Sequence, residues 1–135
     1  MTDVTTLLVM NEAEQKVFTK LLALHGINIV RASDCAQARE QLLRHSDIRV
    51  IVTALSLPDG NWWCIQLALV QLNRQAEIIV CLPDANHCVS EILARGAFAV
   101  VAPPFKAREL RSLIAAAANP LSGASGEASS RAAQG

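Results

Sequence analysis

The chain has 135 residues, 52% hydrophobic and 18% charged, with 12 basic residues balanced by 12 acidic ones. That length suits one domain that buries about two thirds of its unfolded surface without metal or disulfide staples. Zero net charge removes the global field that would recruit nucleic acid or an anionic membrane, and no apolar run approaches the ~18 residues that cross a bilayer.

In chain order, Thr5 to Met10 (T-T-L-L-V-M) reads as a first strand. Asn11 then caps a helix from Glu12 to His25, whose Val17, Phe18, Leu21, Leu22 and Leu24 recur at three-to-four spacing, and Gly26 stops it. Ile27 to Ala32 is a second strand. Ser33 or Asp34 caps a second helix through His45, with Cys35, Ala38, Leu42 and Leu43 as its inner stripe. Ile48 to Gly60 begins as a β-branched run without polar alternation, the pattern of a third strand covered on both faces, and ends in the proline-led turn of L-S-L-P-D-G at Leu55 to Gly60. A third helix, Asn61 to Asn73, is apolar almost all round, so its exposed face is expected to be narrow. Glu77 to Leu82 is a fourth strand, Ala85 to Arg95 a shorter helix ended by Gly96, and Phe98 to Ala102 a fifth strand stopped by Pro103-Pro104. Lys106 to Ala118 is the last helix, with Leu110, Leu113 and Ile114 inward.

Residues 1–118 therefore form the domain, and 119–135, small and polar without periodicity, a flexible tail or linker. Five strands alternating with five helices predict an α/β, flavodoxin-like (βα)5 fold: a doubly wound five-stranded parallel sheet in the order 2-1-3-4-5. The functional pocket belongs at the switch point between strands one and three, at Met10 to Glu12 and Ala54 to Ser56. Cys35, Cys64, Cys81 and Cys88 have no short paired spacing and read as buried reduced thiols, which suits the cytoplasmic location expected from an N-terminus without a basic leader. No glycine-rich nucleotide loop follows any strand.

From about Thr5 to Ala118 the chain resembles the receiver domain of bacterial response regulators, the phosphoaccepting module of two-component signal transduction and phosphorelays. The resemblance is carried by L-S-L-P-D-G, by R-G-A at Arg95 to Ala97, and by P-P-F at Pro103 to Phe105, where the family has lysine, proline and phenylalanine. It implies an aspartate ending strand three, a metal-binding acid pair after strand one, a hydroxyl after strand four, a lysine after strand five and an aromatic switch on strand five. These positions fall on Ala54, on Met10 and Asn11 (or Val9 and Met10 if the first loop carries no deletion) with Glu12 nearby, and on Cys81, Pro103 and Val100.

A methyl group offers no attacking atom for acyl-phosphate formation. Methionine with asparagine does not make the hard oxygen cage that magnesium needs, and proline supplies neither a cation nor a backbone N–H. The expectation is a non-phosphorylated receiver, not an enzyme and without metal or cofactor, that acts by protein interaction. Its partners would be a signalling protein, its own effector domain or a second copy. The resemblance places the interaction surface at Ala85 to Ala118, rimmed by Arg95, Lys106, Arg108, Glu109 and Arg111.

Two rivals stand beside that expectation: a receiver with a non-standard acceptor, and a small-ligand sensor using a pocket of Met10, Ala54 and Cys81. Ser56 and Asp59 could substitute as acceptors, but L-P-D-G also accounts for both as turn residues. His87-Cys88 lacks an orienting third group. Trp62 and Trp63 diverge by about 100° on a helix, so one stays partly exposed, either as an interface residue or as a cover over the turn.

Overall fold

Valine, isoleucine and leucine on successive strand positions point to opposite faces, so a sheet built from such strands needs a cover on both sides. A computed structural model of the protein describes residues 4–22, 27–84 and 89–118. Its strands are β1 (Val4–Val9), β2 (Ile27–Ala32), β3 (Ile48–Ala54), β4 (Ser56–Leu57), β5 (Gly60–Asn61), β6 (Glu77–Cys81) and β7 (Ala99–Val101). The helices are α1 (Glu12–Leu21), α2 (Cys35–Arg44), α3 (Trp62–Gln71), α4 (Val89–Ala94) and α5 (Ala107–Ala118).

The main sheet is parallel throughout, in the order β2-β1-β3-β6-β7. With the two-residue strands β4 and β5 set aside, this is the predicted order 2-1-3-4-5. Alternation along β1 sends Leu7 and Val9 to one face and Leu8 and Met10 to the other, and β3 divides Ile51 from Val50 and Val52 in the same way. One core packs Ala38 and Leu42 of α2, Trp62 and Ile65 of α3 and Ile92 of α4. The opposite core packs Phe18 of α1 and Leu110 and Ile114 of α5. The sheet is thus doubly covered, and the carboxyl ends of β1 and β3 meet where the chain winds in opposite directions.

Several details differ from the sequence expectation. L-S-L-P-D-G is more than a turn: Ser56 pairs with Asn61 and Leu57 with Gly60 in a short antiparallel hairpin. Val17 is exposed on α1, and Leu43 on α2 is 65% exposed, so neither belongs to an inner stripe. On α3 the exposed face is broader than expected, because Leu67 and Val70 are 56% and 74% exposed. Periodicity marks a helix as apolar, but only the neighbouring elements decide which apolar positions are covered. The predicted His25 and Gly26, the start of the fourth helix at Ala85, the His87-Cys88 pair and the 119–135 tail lie outside the described residues.

Candidate functional site

At the end of β1 the polar groups start α1 and close the sheet. Asn11 is the N-cap of α1, and its side-chain oxygen accepts the Glu14 backbone N–H at 2.8 Å. Met10 is buried, its N–H donating to the Ala32 carbonyl at 3.0 Å. Gln15 is also buried, and its Nε2 donates to the carbonyls of Met10 (2.7 Å) and Ala32 (3.0 Å), tying the ends of β1 and β2 together. Glu12 is exposed on the first turn of α1. Sequence reasoning passed over Gln15, since a glutamine among surface-type residues carries no signal that its amide turns inward.

Ala54 ends β3 half-buried, in register with Cys81 on β6. Met10 and Cys81 are buried in the apolar cluster on the α1 and α5 side, and Ala54 packs against it. Burial pushes the Cys81 thiol far above its ordinary pKa, and the nearby negative charge of Glu14 adds to the effect. Cys81 is therefore a neutral thiol and not a nucleophile. Val100 lies half-buried on β7 beside Val80, Pro103 is exposed, and Phe105 packs its ring against Phe18 with centroids 4.9 Å apart.

Ser56 is exposed in the hairpin. Asp59 is turned away from the end of β3: its two carboxylate oxygens accept the backbone N–H groups of Cys35 (2.8 Å) and Ala36 (3.1 Å) at the start of α2. Those two bonds, the Cys35 one first, hold its carboxyl below the ordinary value, and Asp34 caps the same helix through Gln37. Asp59 thus belongs to the scaffold that fixes α2 against the hairpin.

Among the described residues, an opening at this end of the sheet lies to the α3 and α4 side. A cleft of about 190 Å³ is lined there by Leu55, Ser56, Trp62, Trp63 and Arg95 among others. Trp62 is 3% exposed and inside the core, whereas Trp63 is 40% exposed, the divergence that adjacent helical positions impose. The Arg95 guanidinium stacks 3.8 Å from the Trp63 ring centroid and pairs with Glu91 at 3.9 Å. The Arg95 carbonyl accepts Gln66 Nε2 at 2.7 Å, and a Cβ at Gly96, where φ is +115°, would fall 2.5 Å from that same nitrogen. The arginine-glycine pair before β7 is therefore a packing requirement of α3 against α4.

Arg95 stands apart from the other predicted surface residues. Lys106, Arg108 and Glu109 are exposed at the start of α5, while Arg111 is half-buried and its Nε donates to the Ala107 carbonyl at 3.2 Å.

The cysteines require a correction. Cys35 at the start of α2 and Cys64 in the first turn of α3 form a disulfide, with Cα atoms 6.2 Å apart. Cys81 is a buried free thiol, and Cys88 lies outside the described residues. The pair is separated by 29 positions and meets only because two helices start side by side, so spacing gave no hint of it.

Among the described residues, no group of three or more His, Cys, Asp or Glu side chains is placed to hold a metal ion. The side chains at the end of β1 do not fit magnesium, since Asn11 spends its oxygen on α1 and Met10 is packed in the core.

Solved structures settle what this scaffold is. A response-regulator receiver domain from Clostridium thermocellum superimposes with a TM-score of 0.76 at 18% identity, over 90% of this chain and 99% of that one. The fold is the receiver fold. The receiver domain of a Pseudomonas aeruginosa sensor histidine kinase, solved with magnesium coordinated in its active-site cleft, gives 0.69 at 23% identity, over 84% and 95% of the two chains. The receiver domain of the Saccharomyces cerevisiae response regulator Ssk1, solved with the histidine phosphotransfer protein Ypd1, gives 0.70 at 17% identity, over 85% and 88%. No protein-family model and no curated protein matches the sequence. At these identities the likeness carries the fold, and the receiver site of this chain has to be argued from its own residues. No helix among the described residues is long and apolar enough to cross a membrane.

Proposed function

We propose that this is a receiver-type domain of a cytoplasmic two-component pathway that signals by docking to protein partners and not through an aspartyl phosphate. The observation that carries the reading is Ala54 at the end of β3, at the switch point where receiver chemistry needs a carboxylate. Its neighbours support it: a buried methionine, an asparagine spent as a cap, an un-ionised cysteine and an exposed proline. Asp59, the carboxylate nearest to Ala54 in sequence, is engaged at α2.

Incubation with acetyl phosphate and magnesium, followed by intact-mass measurement, is the test. The expected result is an unchanged mass; a stable gain of one phosphoryl group would establish a non-standard acceptor and overturn the reading. Partners of the kind seen in the Ssk1 complex, a phosphotransfer or other signalling protein, fit the docking role, as do an effector domain of the same protein and a second copy of the chain.

Ligand sensing is the second reading, and the cleft beside Trp62 and Trp63 favours it. A thermal-shift screen with common metabolites separates the two, because a ligand that binds only the native state raises the melting temperature.

A further inference from the structure

We propose that Cys35 and Cys64 are a reversible redox pair, exchanging between dithiol and disulfide with low-molecular-weight thiols of the glutathione class, and that the exchange shifts the junction of α2, the β4–β5 hairpin and α3. The inference rests on the cytoplasmic placement above for one argument. Disulfides in that compartment are as a rule transient and redox-sensing rather than permanent.

The position of the pair supplies the others. Both sulfurs belong to half-buried residues in first helical turns, where the helix field favours thiolate and so speeds exchange. Each sulfur also has somewhere to go when the bond opens. The Asn61 carbonyl oxygen lies 2.7 Å from Cys64 Sγ and 3.6 Å from Cys35 Sγ, so it can accept from either thiol of the reduced form.

The exchange balances without any further reactant. One cysteine thiolate attacks an oxidised glutathione sulfur, breaking its S–S bond and releasing one reduced glutathione. The second cysteine thiolate then attacks the protein sulfur of the mixed disulfide, forming Cys35–Cys64 and releasing another. The two protons given up by the cysteine thiols are taken up by the two departing glutathione thiolates, and two equivalents of reduced glutathione run the steps backwards.

The hairpin is what the exchange would move. A Cβ at Gly60 would sit 3.2 Å from Cys64 Sγ and 3.7 Å from Cys35 Sγ, so the backbone of β5 rests directly on both sulfurs. Bonded sulfurs are ~2.0 Å apart and separate once the bond opens, which displaces Gly60 or the helix starts on either side of it. Asp59 next in the chain holds the start of α2, and Trp62 follows Asn61 into the core.

The test equilibrates native full-length protein in glutathione buffers from reducing to oxidising, traps free thiols by alkylation, maps the label by peptide mass, and records tryptophan emission alongside. The expected result is label at Cys35 and Cys64 that appears and disappears reversibly, with emission changing in step. In Cys35→Ser and Cys64→Ser the linked peptide is lost and a glutathione adduct forms on the remaining partner. Persistence of the bond in excess reduced glutathione, or full labelling of both cysteines in excess oxidised glutathione, overturns the redox pair, and the wild-type titration decides this even if a variant fails to fold. Reversible labelling with constant emission overturns the hairpin movement. None of these outcomes depends on the acetyl phosphate experiment, so the two readings fail separately.

Discussion

Asp59 and Glu77 show how two carboxylates of one domain act on stability in opposite directions. Two backbone N–H bonds hold Asp59 below its ordinary value of 3.8, so its contribution is complete above that value and is lost as pH falls through the lower folded pKa. Asp47, accepting the Thr5 hydroxyl at 2.7 Å, behaves alike. Glu77 at the start of β6 is half-buried, and burial alone raises it above 4.5. Its cost is absent below 4.5 and grows as pH rises through the raised folded pKa. Asp59→Asn is therefore expected to lower the denaturation midpoint at neutral pH and to approach wild type in acid below pH 3.8. Glu77→Gln should raise the midpoint at neutral pH and match wild type below pH 4.5; a neutral-pH loss in that variant would contradict the assignment.

Among the helices, α3 combines a largely apolar composition with an outward row that stays exposed among the described residues, Arg95 stacking only on Trp63. Trp63, Leu67 and Val70 recur at helical spacing along its exposed side, and no residue of the helix is charged. The start of α5 offers the opposite character, with Lys106, Arg108 and Glu109 exposed. Surface substitutions at either place should leave stability within about 0.5 kcal/mol of wild type. Sedimentation of Leu67→Glu/Val70→Glu beside Arg108→Glu then reports which face associates. If docking by a second copy follows the receiver resemblance, Arg108→Glu alone changes the mass; a change confined to the α3 variant moves the interface there.

Most of the scaffold was legible at this scale, because β-branched runs and helix caps such as Asn11 and Asp34 are local features. What the sequence hid was relational. Leu43, Leu67 and Val70 are as apolar as their buried neighbours and differ only in what lies opposite. Asp59 looked like a turn residue because its second role, at the start of α2, requires two segments 24 positions apart to meet. Gln15 and the cysteine pair escaped for the same reason, whereas the identities at Ala54 and Pro103 could be read directly once the strands were placed.

Over the whole molecule, the disulfide closes a loop across the α2 and α3 side, between residues 29 positions apart. Closing a loop of that length removes unfolded-state entropy equivalent to roughly 3–4 kcal/mol. That is a large share of the 5–15 kcal/mol, on the order of magnitude, that domains possess. Chemical denaturation of the oxidised protein against Cys35→Ser/Cys64→Ser should show a lower midpoint in the variant and equal midpoints once wild type is reduced. A residual gap after reduction would assign the loss to packing of the serines rather than to the bond.

The way Ala54 is seated has a consequence for attempts at repair. Ala54→Asp would set a carboxylate half-buried beside Met10 and Cys81, with Pro103 where the receiver resemblance puts a lysine. Desolvation without a cation raises such a group and keeps it protonated, so the variant would lose stability and still show no mass gain with acetyl phosphate. Substitutions that share one site are not additive. On the proposed reading, a single acid placed at this site is penalised until metal-side acids and a lysine stand beside it, so only their combined introduction is expected to give a mass gain.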